Sequence, residues 1–245
     1  MNQRAMLFGF AAIMLLVCAG CGDSPVRFGA DPAVLPPSEI ADFNVLYSNN
    51  CAGCHGQVGK GGAAIALSDP VFLAIADDAT IRRIAANGVP GTPMPAFVQS
   101  AGGMLTDRQV DLLVQGIRSW AKSSAVEQNA LPPYASRANG DRQRGADVYR
   151  TYCSSCHGAD GSGGKAGSIV DGSYLALVSD QDLRLNVILG RPAAGAPDWR
   201  GDLPGRPMSE QEISDVVAWL GAQRPAIAGQ PYPKSAMNRS VGGVR

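Results

Sequence analysis

Two five-residue runs carry the chemistry of this chain. Cys51-Ala-Gly-Cys54-His55 recurs 102 residues later as Cys153-Ser-Ser-Cys156-His157, and a glycine follows each histidine. Cys-x-x-Cys-His is the attachment pattern of c-type haem. Its two thiols are spaced to add across the porphyrin vinyl groups, and the adjoining imidazole can turn under the iron. The expected cofactor is haem c, two copies, bound covalently by Cys51, Cys54, Cys153 and Cys156, with His55 and His157 as axial iron ligands. Competing readings explain less. A thioredoxin-like thiol pair accounts for neither the histidine nor the duplication. A structural zinc site takes four Cys or His ligands. Beyond residue 21 the chain holds four cysteines and two histidines, all inside the two motifs, and one shared zinc cluster would have to bridge runs 102 residues apart.

The elements that must position these residues are duplicated too. At an offset of 102, Tyr47 meets Tyr149, Gly61-Gly62 meets Gly163-Gly164, Asp69 meets Asp171, and Leu73-Ala74 meets Leu175-Ala176. Arg82, Gly88, Pro90 and Pro95 fall on Arg184, Gly190, Pro192 and Pro197; after Phe97 and Trp199 the offset becomes 103. Such self-similarity marks an internal duplication. Each unit reads as a helix entering the motif, a glycine-rich loop, a middle helix, a proline-rich loop and a closing helix. The entering helix is expected from an N-cap at Ser38 in the first unit, and it carries Val148, Tyr149 and Tyr152 in the second. The middle helices run from Asp78 towards Gly88 and from Ser179-Asp180 towards Gly190; the closing helices open at Thr106-Asp107 and Ser209-Glu210. No stretch alternates as a strand would. The fold class is all-α, two tandem domains of a few helices around one covalent haem each.

The boundaries follow composition. Residues 1–20 are an export signal of lipoprotein type, with Arg4 before an apolar run from Leu7 to Val17 that is short for a membrane span. It ends at Cys18-Ala-Gly-Cys21, so Cys21 is the candidate for lipidation; simple secretion or an uncleaved anchor are the other outcomes. Gly22 follows Cys21 where a haem motif would need histidine. Residues 21–37 form a proline-rich tether, 38–122 the first domain, 123–137 the linker, 138–224 the second domain and 225–245 a flexible tail.

With these motifs in view, the two units resemble class I c-type cytochrome domains joined in tandem. The first matches from about Ser38 to Trp120: the haem motif, then Gly91-Thr-Pro-Met94-Pro95-Ala-Phe97, then Leu105-Thr-Asp and the final helix. The resemblance implies that Met94 is the sixth ligand of the first iron. The second unit departs from it, because Ala196 stands where Met94 stands. Met208 is the nearest candidate ligand there, but it aligns with Leu105 just before a helix N-cap, where a hydrophobic staple is the plainer reading. Both histidines are proximal ligands, so the second haem is five-coordinate, weakly ligated, or held by Met208. The resemblance also implies that Gly145 lets the first and last helices touch, whereas Phe43 takes that position in the first unit. Arg184, Arg191, Arg200 and Trp199 are candidates to bind haem propionates.

Charge adds little about partners. The chain has 21 basic and 21 acidic residues, and no basic stripe of the kind that binds nucleic acid. The function expected is electron transfer between membrane respiratory components at the outer face of the cytoplasmic membrane, without substrate chemistry. The protein would be periplasmic and lipid-anchored, with redox proteins as partners. Two alternatives stay open: a haem enzyme or gas sensor at an open second haem, and a cytochrome subunit of a dehydrogenase or oxidase complex.

Overall fold

The computed structural model describes residues 35–121, 131–201 and 205–225. The signal, Cys21, most of the tether, residues 122–130 of the linker and the tail beyond 225 lie outside the described residues. Contacts divide the chain into Met1–Pro36 and Pro37–Arg245, and both repeats fall in the second unit.

Among the described residues, ten α-helices are arranged as the duplication requires, five to a repeat, with no strands. In the first repeat, α1 (Phe43–Asn50) leads into the one-turn α2 (Ala52–His55). Then come α3 (Pro70–Ile75), α4 (Asp78–Asn87) and α5 (Asp107–Ser119). In the second, α6 (Arg142–Tyr152) leads into α7 (Ser154–His157), then α8 (Gly172–Leu177), α9 (Asp180–Leu189) and α10 (Glu210–Gly221).

Local sequence sets most ends. Thr106 and Ser209 cap α5 and α10 in reciprocal boxes with Gln109 and Glu212. Ser179 caps α9, and Gly88 and Gly190 stop α4 and α9. The entry to the first repeat corrects the sequence reading: Ser38 lies in a 3-10 turn, and Asp42 caps α1 by accepting from the Val45 N–H at 2.9 Å. Helices α3 and α8 were not expected. Their signal is the repeat-paired Asp69 and Asp171, each of which accepts two backbone N–H groups of the first turn.

The repeats do not form two separate cores. Val71, Phe72, Leu73, Ala76 and Ile81 of the first repeat belong to the same buried cluster as Leu185, Ile188, Leu189 and Trp199 of the second, and α3 touches α9. Comparing the repeats locates this seam. Phe72 on α3 is 3% exposed, while its counterpart Tyr174 is 36% exposed. Leu185 and Leu189 on α9 are buried, while their counterparts Arg83 and Asn87 on α4 are exposed. Helix α9 is therefore apolar on two faces, as a helix packed on both sides must be. Each Phe or Leu buried this way contributes about 1.5–3 kcal/mol.

Candidate haem sites

Cys51 and Cys153 are the hinges between the entering helices and the one-turn helices, and the chain after each turns once so that the histidine ends the turn. A spacing of three puts both thiols of a motif on one side of the turn. All four thiols are free. Burial, with the partner thiol adding to it, pushes both Cys51 and Cys153 up to about 11, so they stay protonated near neutral pH and are not activated thiolates.

Each histidine is held by its own loop. His55 Nδ1 lies 2.9 Å from the Ile65 carbonyl oxygen, and His157 Nδ1 lies 2.8 Å from the Gly167 carbonyl oxygen. A carbonyl only accepts, so Nδ1 carries the proton in both rings. The Nε2 lone pair is left for a metal. Burial lowers the His55 imidazole below its ordinary value, which keeps it neutral at pH 7. The two rings differ in shelter: His55 is 7% exposed, and His157 is only half-buried.

Two tyrosines, paired in the sequence without an assigned role, lock the motifs. Tyr47 Oη donates to the Gly56 carbonyl at 2.9 Å, and Tyr149 Oη donates to that of Gly158. Both acceptors are the residue after the histidine, so the tyrosine pins the end of the ligand turn to the entering helix.

Met94 is reached through Gly88. That residue has φ +68°, and a Cβ there would lie 2.6 Å from the Met94 carbonyl oxygen, so only glycine lets the loop return against α4. The Val89 N–H donates to the Met94 carbonyl at 3.0 Å, and the N–H of the half-buried Met94 donates to Thr92 Oγ1 at 3.2 Å. In the second repeat, Ala196 and Arg191 exchange both backbone hydrogen bonds, at 3.0 and 3.1 Å. Met208 is buried in the shared cluster, and its N–H donates to the Trp199 carbonyl at 2.8 Å, as Leu105 donates to Phe97 at 2.7 Å. It thus has the backbone role of Leu105.

The arginines considered for propionates have protein partners. Arg184 is buried and binds Glu210 together with the Pro133 and Tyr134 carbonyls. Its counterpart Arg82 binds Asp107 and Asp111, so this pair ties the middle helix to the closing helix in both repeats. Arg200 folds onto Asp198 and lies 4.9 Å over the Trp199 ring, and Arg191 donates to the Ala63 carbonyl of the first repeat.

The family described as "cytochrome c oxidase, cbb3-type, subunit III" matches residues 38–115 and 140–220, one segment per repeat. The chain belongs to that family. It is a c-type cytochrome with more than one domain, and membership implies covalently bound haem c. The donor set fits that group: free thiol pairs, imidazoles with Nε2 unprotonated, and among the described residues no cluster of three His, Cys, Asp or Glu that could hold a metal without a porphyrin.

Curated relatives of this family member include the cytochrome bc1 complex cytochrome c subunits of Mycobacterium bovis and Mycobacterium tuberculosis. Each is 21% identical over 71% of this chain and 60% of its own length. The Cbb3-type cytochrome c oxidase subunit CcoP of an Azospirillum species is 30% identical over 53% of this chain and 43% of its own length. The chain therefore spans about 60% or less of these relatives. A solved structure, the reducing HAO-like protein complex of Kuenenia stuttgartiensis, aligns with 78% of this chain and 100% of its own at 20% identity and a TM-score of 0.40.

Proposed function

We propose that the chain is a dihaem electron carrier working between membrane respiratory components on the outer face of a bacterial cytoplasmic membrane. The observation that carries this reading is the doubled site: a free Cys-x-x-Cys pair followed by an imidazole whose Nδ1 is tied to a backbone carbonyl. Bound haem supplies reversible one-electron exchange at iron. The four cysteines hold it, and the Ile65 and Gly167 carbonyls fix the orientation and tautomer of His55 and His157. Met94 offers the first site a neutral, soft thioether, which favours the ferrous state and raises the potential. The printed names of the relatives, subunits of a bc1 complex and of a cbb3 oxidase, support a membrane respiratory complex as partner. A lipid on Cys21 would keep the carrier beside it, since more than one acyl chain gives durable anchoring.

The test is the haem count of the purified protein, by intact mass and by pyridine haemochrome absorbance. Two haems are expected, and one after Cys153→Ser with Cys156→Ser; a native protein with a single haem would overturn the reading. A second reading, ligand binding or chemistry at the second haem, is favoured by Ala196 in the place of Met94. Carbon monoxide titration of the reduced protein separates the two: uptake at one haem in two supports an open second site, and no uptake supports a plain carrier.

A further inference from the structure

The two histidine loops share the bond from the histidine Nδ1 to a loop carbonyl and one backbone bond beside it, and differ in their surroundings. Ala64 N–H donates to the Cys54 carbonyl at 2.9 Å, and Ala166 N–H donates to that of Cys156 at 2.9 Å. The first loop, Ala63-Ala-Ile-Ala-Leu67, is apolar; Ile65 and Leu67 pack against the cluster shared with α9, and Arg191 of the second repeat donates to the Ala63 carbonyl. In the second loop, Lys165-Ala-Gly-Ser-Ile169, the first four residues are exposed and only Ile169, the counterpart of Leu67, packs against the cluster. Its flanking helix α8 leaves Tyr174 and Leu177 uncovered, whereas Phe72 and Ile75 at the same positions of α3 are packed into the seam. The difference in exposure between His55 and His157 follows from which repeat is covered rather than from how either folds.

We infer that the second domain is a fixed cap on the proximal side of the first haem site, so that the loop beside His157 is the proximal side open to solvent and to redox partners. This rests on the proposal that both repeats hold haem. The cap has a physical consequence for the pair. Ferric haem carries one more positive charge than ferrous haem, and water excluded from one side disfavours that charge. The capped site is thereby biased towards the ferrous state.

Hydrogen–deuterium exchange on the full-length, haem-loaded protein tests the cap at Ala64 and Ala166, whose N–H groups make matched hydrogen bonds and so serve as controls for each other. Within peptides covering 63–68 and 165–170, the Ala64 amide should exchange at least about tenfold more slowly than the Ala166 amide. Leu185→Arg, which places on α9 the residue that α4 carries at the same position, should remove most of that difference and leave the Ala166 amide unchanged. In a redox titration it should lower the higher potential and spare the other. Should Leu185→Arg fail to yield loaded protein, Phe72→Tyr opens the seam from the other side with the residue found at Tyr174, and the same loss of protection is expected. Equal exchange of the two amides in the native protein, or a difference that survives a seam substitution, would overturn the cap. The haem count is independent: a single haem with a protected 63–68 loop would sink the dihaem reading and leave the cap standing.

Discussion

Arg118 and Arg224 close the same clamp from positions the repeat does not equate. Arg118, inside α5, binds Asp78 and the Leu73 and Ala76 carbonyls; Arg224, three residues beyond the end of α10, binds Asp180 and the carbonyls of Leu175 and Val178. The acceptors match residue for residue. The counterpart of Arg118 is Gly221, where a Cβ would stand 3.1 Å from the Arg224 guanidinium, so glycine leaves room for the arginine one turn on. The aspartates are exposed and add little; the carbonyls at the end of the short helix are what the guanidinium satisfies. Arg118→Ala and Arg224→Ala should each cost about 1–3 kcal/mol in denaturant unfolding. Lysine should recover only part of that, having no planar fork to reach two carbonyls.

The crossing of the first and last helices is filled reciprocally. In the second repeat a Cβ on Gly145 of α6 would lie 2.0 Å from the Asp215 carbonyl oxygen, while Trp219 of α10 stacks on Tyr149 with centroids 4.3 Å apart. In the first, the glycine is Gly116 of α5, at the position of Trp219, and the ring of Phe43 at the position of Gly145 lies over it. Gly145→Ala should destabilise by about 2–3 kcal/mol. Gly116→Ala with Phe43→Ala should cost less than the sum of the two single changes, a non-additivity that a double-mutant cycle of unfolding free energies would reveal.

Met94→Ala should make the first site resemble the second. Carbon monoxide uptake by the reduced protein should rise by one haem over that of the native protein, and the higher potential should fall as the thioether is lost. Met208→Leu should leave uptake unchanged, since Met208 has the burial and backbone bond of Leu105; uptake at a newly opened site in that variant would instead make Met208 a ligand.

Asp215 sets an acid limit on the second repeat. Burial alone would raise its carboxyl, but the Arg144 guanidinium, the Asp141 backbone N–H and the Gln211 amide hold it below the ordinary carboxylate range. A carboxyl lowered in the folded state stabilises above its unfolded pKa of about 3.9, and that contribution is lost as pH falls through the lower folded value. Asp215→Asn should lower Tm by about 2–4 °C at pH 7 for each kcal/mol lost, the two repeats sharing one core. The gap to the native protein should stay constant down to about pH 4 and narrow only below it, in a pH series of thermal melts.

Much of this was legible in the residues. The motifs, the two middle helices and the two capped closing helices are local features: a spacing, a side chain that caps its own N-terminus, a glycine that stops its own helix. The same holds for the aspartates of α3 and α8, whose role is local although only their pairing was noticed. Asp42 stands as the first cap where Ser38 was expected, because Ser38 is taken up in a 3-10 turn and the helix begins only after Asp42. The seam, the clamps and the reciprocal glycines were not legible, because each depends on which residues meet across space. A side chain moved three residues along the chain can reach the same acceptors while leaving its place in the alignment, as Arg224 does. By itself, the sequence determined the chemistry this chain can hold, since a thiol spacing and an adjoining imidazole are properties of a few consecutive residues. Only the tertiary structure decided that the two histidines are unequally sheltered, because the loop that holds His55 packs against a cluster that includes a helix more than a hundred residues away.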